Sequence, residues 1–442
     1  MTARKAALFT LSAVEQTNAW ANGELKKEIA KSKLDRRDAA LATRLCFGTL
    51  QNRILLDYYL QAFSSMKLSK MEPKVRNALR LALYQILFME RIPPSAAVNE
   101  TVSLTRKYAK NPRAAGMVNG ILRSILRSLD ALPAIEQRNP MDTLALRYSH
   151  PRWLLDEFSL RLSPEELEEL LCIHNSAAPT TLQINLCRTS LETVQERLQE
   201  EGVMAEPHPW LPNCLVLDSV GNLEQLSVFR DGEVYVQDTA AKLAVLAAEP
   251  KPSEQVLDAC AAPGGKSFAA AIEMNNQGRI VSCDLYPHKK QLIEAGAQRL
   301  GLSCIQVELR DASSREAEWE QAFDLVIADV PCSGLGVIRK KPEIRYKDPE
   351  EMKALPSIQH QILANLSTYV RPGGRLLYAT CTLRQEENEE MVRHFLTLHP
   401  EFSLEGFTLP GPLGKVEEGM VTLWPQRLST DGFFVAKLRR QA

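Results

Sequence analysis

Nowhere among the 442 residues is there an apolar run long enough to cross a bilayer, for which about twenty residues are needed. The opening stretch, MTARKAALFTLSAVEQ, has no small-residue cleavage site either, so no secretory signal is expected. The nine cysteines (Cys46, Cys172, Cys187, Cys214, Cys260, Cys283, Cys304, Cys332 and Cys381) form no C-x-x-C pair and no Cys/His spacing suited to zinc. That argues against a structural metal and against a disulfide framework, and reads as reduced thiols in a cytoplasm. Net charge is nearly absent as well, at −1, but the balance is uneven. Residues 1–150 hold 24 Lys and Arg against 12 Asp and Glu, and the remainder is correspondingly acidic. A basic first third on an acidic body suggests a polyanion-binding module joined to something else.

Strand signal is missing from that first third. Helical runs are expected at 3–21, 36–62, 72–90, 94–109, 113–129 and 140–149. In the third of these, Val75, Leu79, Ala82, Leu83, Ile86 and Leu87 recur on one apolar face. Pro93-Pro94 and Asn111-Pro112 punctuate the helices. An all-α module over 1–145 follows. Residues 146–237 read as a small α+β domain that opens on a helix-rich joint running to about 175 and a linker at 175–179, then strands at 181–186, 214–217 and 233–237 and a helix at 190–201, too small to stand alone. Trp210 and Tyr235 there could stack on bases or sit in the core.

From 238 the pattern turns to alternating strand and helix, an α/β Rossmann-like domain with a parallel sheet. Strands are expected at 255–260, 279–284, 304–309, 323–329, 374–380 and 433–438. Helices are expected at 266–274, 287–300, 356–370 and 385–398. Every notable residue falls at a strand's carboxyl end. Cys260, Ala261, Ala262, Pro263, Gly264, Gly265 and Lys266 form a Gly-rich turn into a helix, where a ligand can approach the backbone closely. Asp284 follows about 20 residues later, where a carboxylate grips ribose hydroxyls, and Asp311 follows the third strand. The fourth strand delivers Asp329 and Cys332, and the next delivers Cys381. If those strands are adjacent, both thiols face one crevice.

Two thiols beside a carboxylate suit one chemistry well. Carbon 5 of cytosine is a poor nucleophile until a thiolate adds to carbon 6, after which it can attack a sulfonium methyl. A base must then remove the carbon 5 proton so that the thiol is expelled, and a carboxyl group can hydrogen-bond the N3/N4 edge. The cytosine must also leave its stack to reach such a pocket. From spacing alone the two cysteines cannot be ranked.

Asp258 through Lys266, Asp329-Val330-Pro331-Cys332-Ser333-Gly334 and Thr380-Cys381 together resemble the signature motifs of RNA cytosine-5 methyltransferases. Leu45 through Leu50 with Arg53 and Asp57, Arg80, Tyr84-Gln85 and the run Gly116 to Arg123 resemble the NusB-like RNA-binding fold. The whole chain is similar to a bacterial family that methylates a cytosine in 16S ribosomal RNA. The resemblance implies S-adenosyl-L-methionine as cofactor, held by residues 260–266, Asp284, Asp311 and Asp329. It also implies Cys381 as nucleophile, Cys332 in product release, Asp329 among the catalytic groups, 16S rRNA as partner, and a monomer. Ser267, Ala379 and Thr382 depart slightly from the family pattern. The basic run Arg339, Lys340, Lys341, Arg345 and Lys347 beside the crevice suits RNA phosphates.

Two other readings of these residues remain. Cys260 to Ser267 is one residue short of a P-loop, its first glycine being replaced by Cys260, and the strand ending in Asp329 imitates a magnesium-binding strand. A non-catalytic RNA-binding assembly factor on the same fold is the other.

Overall fold

The computed structural model describes residues 2–217 and 221–442. The chain divides into two compact units. One is Met1–Ser176 with Ile338–Lys347, and the other is Ala177–Val337 with Asp348–Ala442.

The first unit is helical. Its core is built from Ala6, Leu45, Leu79, Ala82, Leu83 and Leu122, all fully buried. Of the expected apolar face, Val75, Leu79, Ala82 and Leu83 are buried, while Ile86 and Leu87 pack at its edge. The long helix expected over 36–62 is two, Arg36–Gln51 and Arg53–Ala62. Between them the Asn52 side chain donates to the Gly48 carbonyl, taking up an acceptor at the helix end. A further helix, Ala21–Ser32, lies outside the expected set because only Ala21, Leu25 and Glu28 of it are buried and its lysines hide the period. Gly48 is required by packing: a Cβ there would stand 2.0 Å from the Tyr84 ring. Arg80, 2% exposed, bridges Asp57 at 2.7 Å and Glu15 at 3.2 Å. These NusB-like motif residues therefore hold the module together from inside.

The helices Arg152–Ser159 and Pro164–Asn175, in the helix-rich joint, cluster with this first unit. Buried His150 and His174 stack there with Phe158, and the Tyr148 hydroxyl donates to Glu168 at 2.8 Å.

The second unit opens on a four-stranded antiparallel sheet, in spatial order Ala205–Pro207, Cys214–Leu217, Thr180–Ile184, Val234–Val236, with the helix Leu191–Glu200 beside it. Leu211, Cys214 and Tyr235 share one core with Phe268 and Ala269, so this small sheet is completed by the larger one. Tyr235, 2% exposed and edge-on to Phe268, is a core residue and no platform for bases.

The main sheet has eight strands: β1 (Gln255–Asp258), β2 (Arg279–Asp284), β3 (Ile305–Leu309), β4 (Phe323–Asp329), β5 (Val370–Thr380), β6 (Phe402–Leu404), β7 (Met420–Leu423) and β8 (Phe433–Arg440). Their order is 6-8-5-4-1-2-3, with β7 paired to β8. Strands β1 to β5 run parallel and β8 pairs antiparallel with β5. The six expected strands are present, and the short β6 and β7 are additional. Strand order reverses between β1 and β4, which opens a crevice at their carboxyl ends. Among the described residues no helix is long and apolar enough to cross a membrane, and no cluster of three or more His, Cys, Asp or Glu is arranged for a metal ion.

Candidate active site

The loop after β1 turns on Gly264, whose φ of +111° falls where only glycine is at ease and which caps the helix Gly265–Glu273. A Cβ on Gly264 would collide with Phe268. Asp258, at the end of β1, is fully buried and accepts from the Ser267 hydroxyl at 2.6 Å, which in turn accepts from Ser282 of β2 at 2.7 Å. Burial pushes the Asp258 carboxyl up to about 7. Asp258 thus ties the loop to two strands from below. Lys266 reaches over the crevice floor to Asp329, Nζ to Oδ2 at 2.6 Å, with the centre of the Phe433 ring 4.9 Å from the ammonium. Burial works against that charge, but the Asp329 carboxylate outweighs it and the lysine is held above its ordinary value.

The residues fit an adenosylmethionine-type ligand. Asp284 is buried at the end of β2 near Lys289, and Asp311 lies exposed just after β3, its carboxylate accepting from Ser313. The Gln237 amide stands 3.2 Å from where a Cβ on Gly265 would be, and both its Nε2 and Oε1 are buried without a hydrogen-bond partner. An unpaired buried amide beside a glycine loop calls for a polar ligand group. Cys260, by contrast, is an inert neighbour: burial drives its thiol far up, and the carboxylates of Asp329, Asp258 and Asp284 push the same way.

Strands β4 and β5 are adjacent and in parallel register, with Asp329 opposite Ala379. They bring Cys332 and Cys381 together with sulfurs 3.1 Å apart, both partly exposed and neither in a disulfide. The hydrogen bond to Cys381, then burial, then the charges of Cys381, Glu387 and Asp329 raise the Cys332 thiol well above its ordinary range. The Lys266 ammonium instead interacts favourably with a Cys381 thiolate. The two thiols therefore sit in different electrostatic surroundings, with Cys332 held toward its protonated form.

The basic run after the Pro-Cys loop is placed differently from expectation. Residues 338–347 pack inside the helical unit, with Pro342, Glu343, Ile344 and Arg345 buried. Arg345 is 0% exposed and cannot meet an RNA phosphate, which removes it from the expected RNA-facing set. Its guanidinium instead donates to the carbonyls of Gln51, Tyr148, Ser149 and His174 and to Asn175 Oδ1. Lys341 and Lys347 face outward, their ammoniums 4.9 and 4.5 Å from the ring centre of half-exposed Trp20. Arg339 and Lys340 are partly exposed. Trp20, Gln237, Glu387 and Asn388 lie outside the expected site set. The one signal for the last two was an acidic, amide-bearing helix start soon after Cys381, which reads as ordinary capping.

Three family descriptions match the chain: NusB over 1–127, a ferredoxin-like domain of RsmF/B-like methyltransferases over 150–224, and the 16S rRNA methyltransferase RsmB/F over 245–439. The probable ribosomal RNA small subunit methyltransferase B of Bacillus subtilis is 38% identical across 99% of this chain and 98% of its own. The ribosomal RNA small subunit methyltransferase B of Vibrio cholerae is 34% identical across 93% and 92%. Among solved structures, that of the protein PH0851 aligns with a TM-score of 0.85 at 27% identity, across 99% of this chain and 98% of that one.

Proposed function

The chain belongs to the RsmB/F family of 16S rRNA methyltransferases, and we propose that it moves a methyl group from S-adenosyl-L-methionine to carbon 5 of a cytosine through a covalent cysteine adduct. The observation that carries this reading is the unequal thiol pair, Cys332 and Cys381, 3.1 Å apart at the ends of adjacent strands. When bound, the sulfonium cofactor supplies an electrophilic methyl group. Residues 260–266, Asp284, Asp311 and Asp329, with Gln237 beside the loop, are the groups that would hold it.

The steps of the chain's own residues follow from the electrostatics. Cys381, as the thiolate favoured by Lys266, forms a bond to carbon 6 of the cytosine and displaces electron density onto carbon 5. Cys332 keeps its proton during attack and so does not compete. After methylation the carbon 5 proton must leave; Cys332 gives up its own proton to solvent and, as the thiolate, accepts the carbon 5 proton, and the Cys381–carbon 6 bond breaks to restore the ring and the Cys381 thiolate. Asp329, one oxygen committed to Lys266, has its other oxygen for the N3/N4 edge of the base. The P-loop reading gives no work to either thiol and leaves Lys266 paired to Asp329 in place of a phosphate.

Substrate RNA is met by the basic helical unit and by the outward residues of the 339–347 segment, in a monomer acting in the cytoplasm. An exposed tryptophan flanked by lysines suits a base and its phosphates. Neutralising Arg339, Lys340 and Lys341 together is expected to weaken RNA binding and to lower the logarithmic slope of its salt dependence by about 0.7 for each phosphate no longer neutralised. An unchanged slope would remove the segment from the interface. The reaction itself is tested by incubating the protein with methyl-labelled S-adenosylmethionine and unmethylated 16S rRNA and mapping the label. Label on cytosine carbon 5 supports the proposal; label elsewhere, or ATP turnover without label, overturns it.

A further inference from the structure

Beneath the two thiols lies a polar assembly that the proposed reaction does not use directly. Glu387, 0% exposed, accepts through Oε2 from the Ser333 backbone N–H at 2.9 Å and from Gln359 Nε2 at 2.9 Å. The same Gln359 nitrogen donates to the Pro331 carbonyl at 2.9 Å. The residues before and after Cys332 are thus both fixed by one Glu–Gln pair. Asn388, also 0% exposed, does the equivalent for the other cysteine. Its Oδ1 accepts from the Thr380 hydroxyl at 2.6 Å and its Nδ2 donates to the Thr382 carbonyl at 3.0 Å. The Tyr378 hydroxyl donates to the Glu387 carbonyl at 2.7 Å, and Ser333 and Thr382 join their hydroxyls at 2.6 Å.

We infer that Glu387 is a positioning residue for the cysteine pair: with Asn388 and Gln359 it brackets the backbone on both sides of Cys332 and Cys381 and so sets how the two thiols face each other and the base. This rests on the covalent mechanism proposed above. Without the bracket, two loops from different strands would each be freer to shift by the ångström or so that decides whether a thiol reaches its atom. A buried carboxylate is an expensive anchor even with the Arg384 guanidinium 3.7 Å from its other oxygen, and a neutral side chain could accept the same two hydrogen bonds. The charge therefore has a second consequence. Glu387 is among the groups that keep Cys332 protonated, behind the Cys381 hydrogen bond and burial. It helps hold Cys332 out of the way during attack and raises the pH at which Cys332 can later give up its proton.

The test uses the full-length protein with 16S rRNA and labelled S-adenosylmethionine, reading single-turnover methyl transfer, steady-state turnover, and the protein–RNA adduct that survives denaturing electrophoresis. Glu387→Gln keeps a carbonyl oxygen for Ser333 and Gln359 but loses the charge. Its pH profile for product release is expected to move acidward, by about half a unit to one unit. Glu387→Ala and Gln359→Ala lose the bracket around Cys332; turnover is expected to fall about 10–100-fold while adduct accumulates, because release fails after attack. A merely structural role would lower thermal stability and all rates together, without adduct and without a pH shift, and would overturn the inference. Should Glu387→Ala not fold, a wild-type pH profile in Glu387→Gln with wild-type adduct in Gln359→Ala overturns it equally. Absence of label transfer in the unsubstituted protein would instead defeat the underlying mechanism.

Discussion

Cys381→Ser is expected to lower methyl transfer by about 10³-fold or more, with no RNA adduct, whereas Cys332→Ala is expected to leave the adduct trapped. The two outcomes differ because the proposed roles of the two thiols differ. Cys381 faces the Lys266 ammonium, which favours its thiolate, and a serine hydroxyl there stays protonated at any working pH. Cys332, hydrogen-bonded to Cys381, buried, and near Glu387 and Asp329, is held above its ordinary value and so toward its protonated form. Removing Cys332 leaves the nucleophile with its cation, so the bond to carbon 6 still forms and the methyl group still moves. What is lost is the base that takes the carbon 5 proton, and without it the Cys381–carbon 6 bond persists. The measurement is denaturing electrophoresis of labelled RNA with each variant, beside quantified methyl transfer. Adduct in Cys381→Ala and none in Cys332→Ala would reverse the assignment of roles.

Much of this site was legible in the sequence, because parallel strands write themselves as apolar runs that end in the residues they present. Phe323 to Asp329 and Arg375 to Thr380 read as strands, and the doubly wound fold then forces their carboxyl ends into one crevice. Adjacency of β4 and β5 is a consequence of that fold class, and the 3.1 Å sulfur approach is its local expression. What a linear reading could not supply is anything that depends on which neighbours surround a side chain. The difference in surroundings between the cysteines needs Lys266 near one, and the thiol–thiol hydrogen bond, burial and Glu387 at the other. Gln237 is silent in the sequence because an amide before an N-cap residue looks like any other, and its meaning comes from being buried and unpaired. Glu387-Asn388 is silent because acids at a helix start are common for electrostatic reasons of their own.

The basic run shows the opposite failure. Five cations within nine residues read as one surface, yet a run of charge does not specify which way each side chain turns. Pro342 and Ile344 are apolar and draw the segment into the helical unit, and Arg345 between Ile344 and Tyr346 goes in with them. Lys341 and Lys347, at its two ends, stay near the surface against Trp20. The helices up to Asn175 are legible as a helix-rich stretch ending at a linker, but their closure onto the helical unit depends on a segment about 170 residues further along, which no linear pattern shows.

Arg345→Met is expected to destabilise the helical unit by about 3–4 kcal/mol, among the largest effects of any single substitution away from the thiols. The guanidinium serves carbonyls at the ends of three helices, Arg36–Gln51, Pro140–Arg147 and Pro164–Asn175, where no intrahelical donor remains. Methionine fills the volume but leaves the Ser149 and His174 carbonyls as buried, unpaired acceptors and the Gln51 carbonyl and Asn175 Oδ1 as partly buried ones. The cation also sits beside His150 and His174. Burial first, and Arg345 next, depress both imidazoles well below their ordinary value. A base with a depressed folded pKa contributes stability that is present above its unfolded pKa, about 6.5, and is lost as pH falls below it. The wild-type unit should therefore weaken from pH 7 toward pH 5. Without the arginine's repulsion the imidazoles accept protons more readily in the folded state, so the variant should weaken less over the same range. The gap between the two proteins is then widest at neutral pH and narrows in acid. Urea unfolding at pH 7.5 and 5.5, with hydrogen exchange followed at the three helix ends, reads both effects. A variant that unfolds at the wild-type midpoint at pH 7.5, or a gap that widens in acid, would show that Arg345 does not hold those helix ends together.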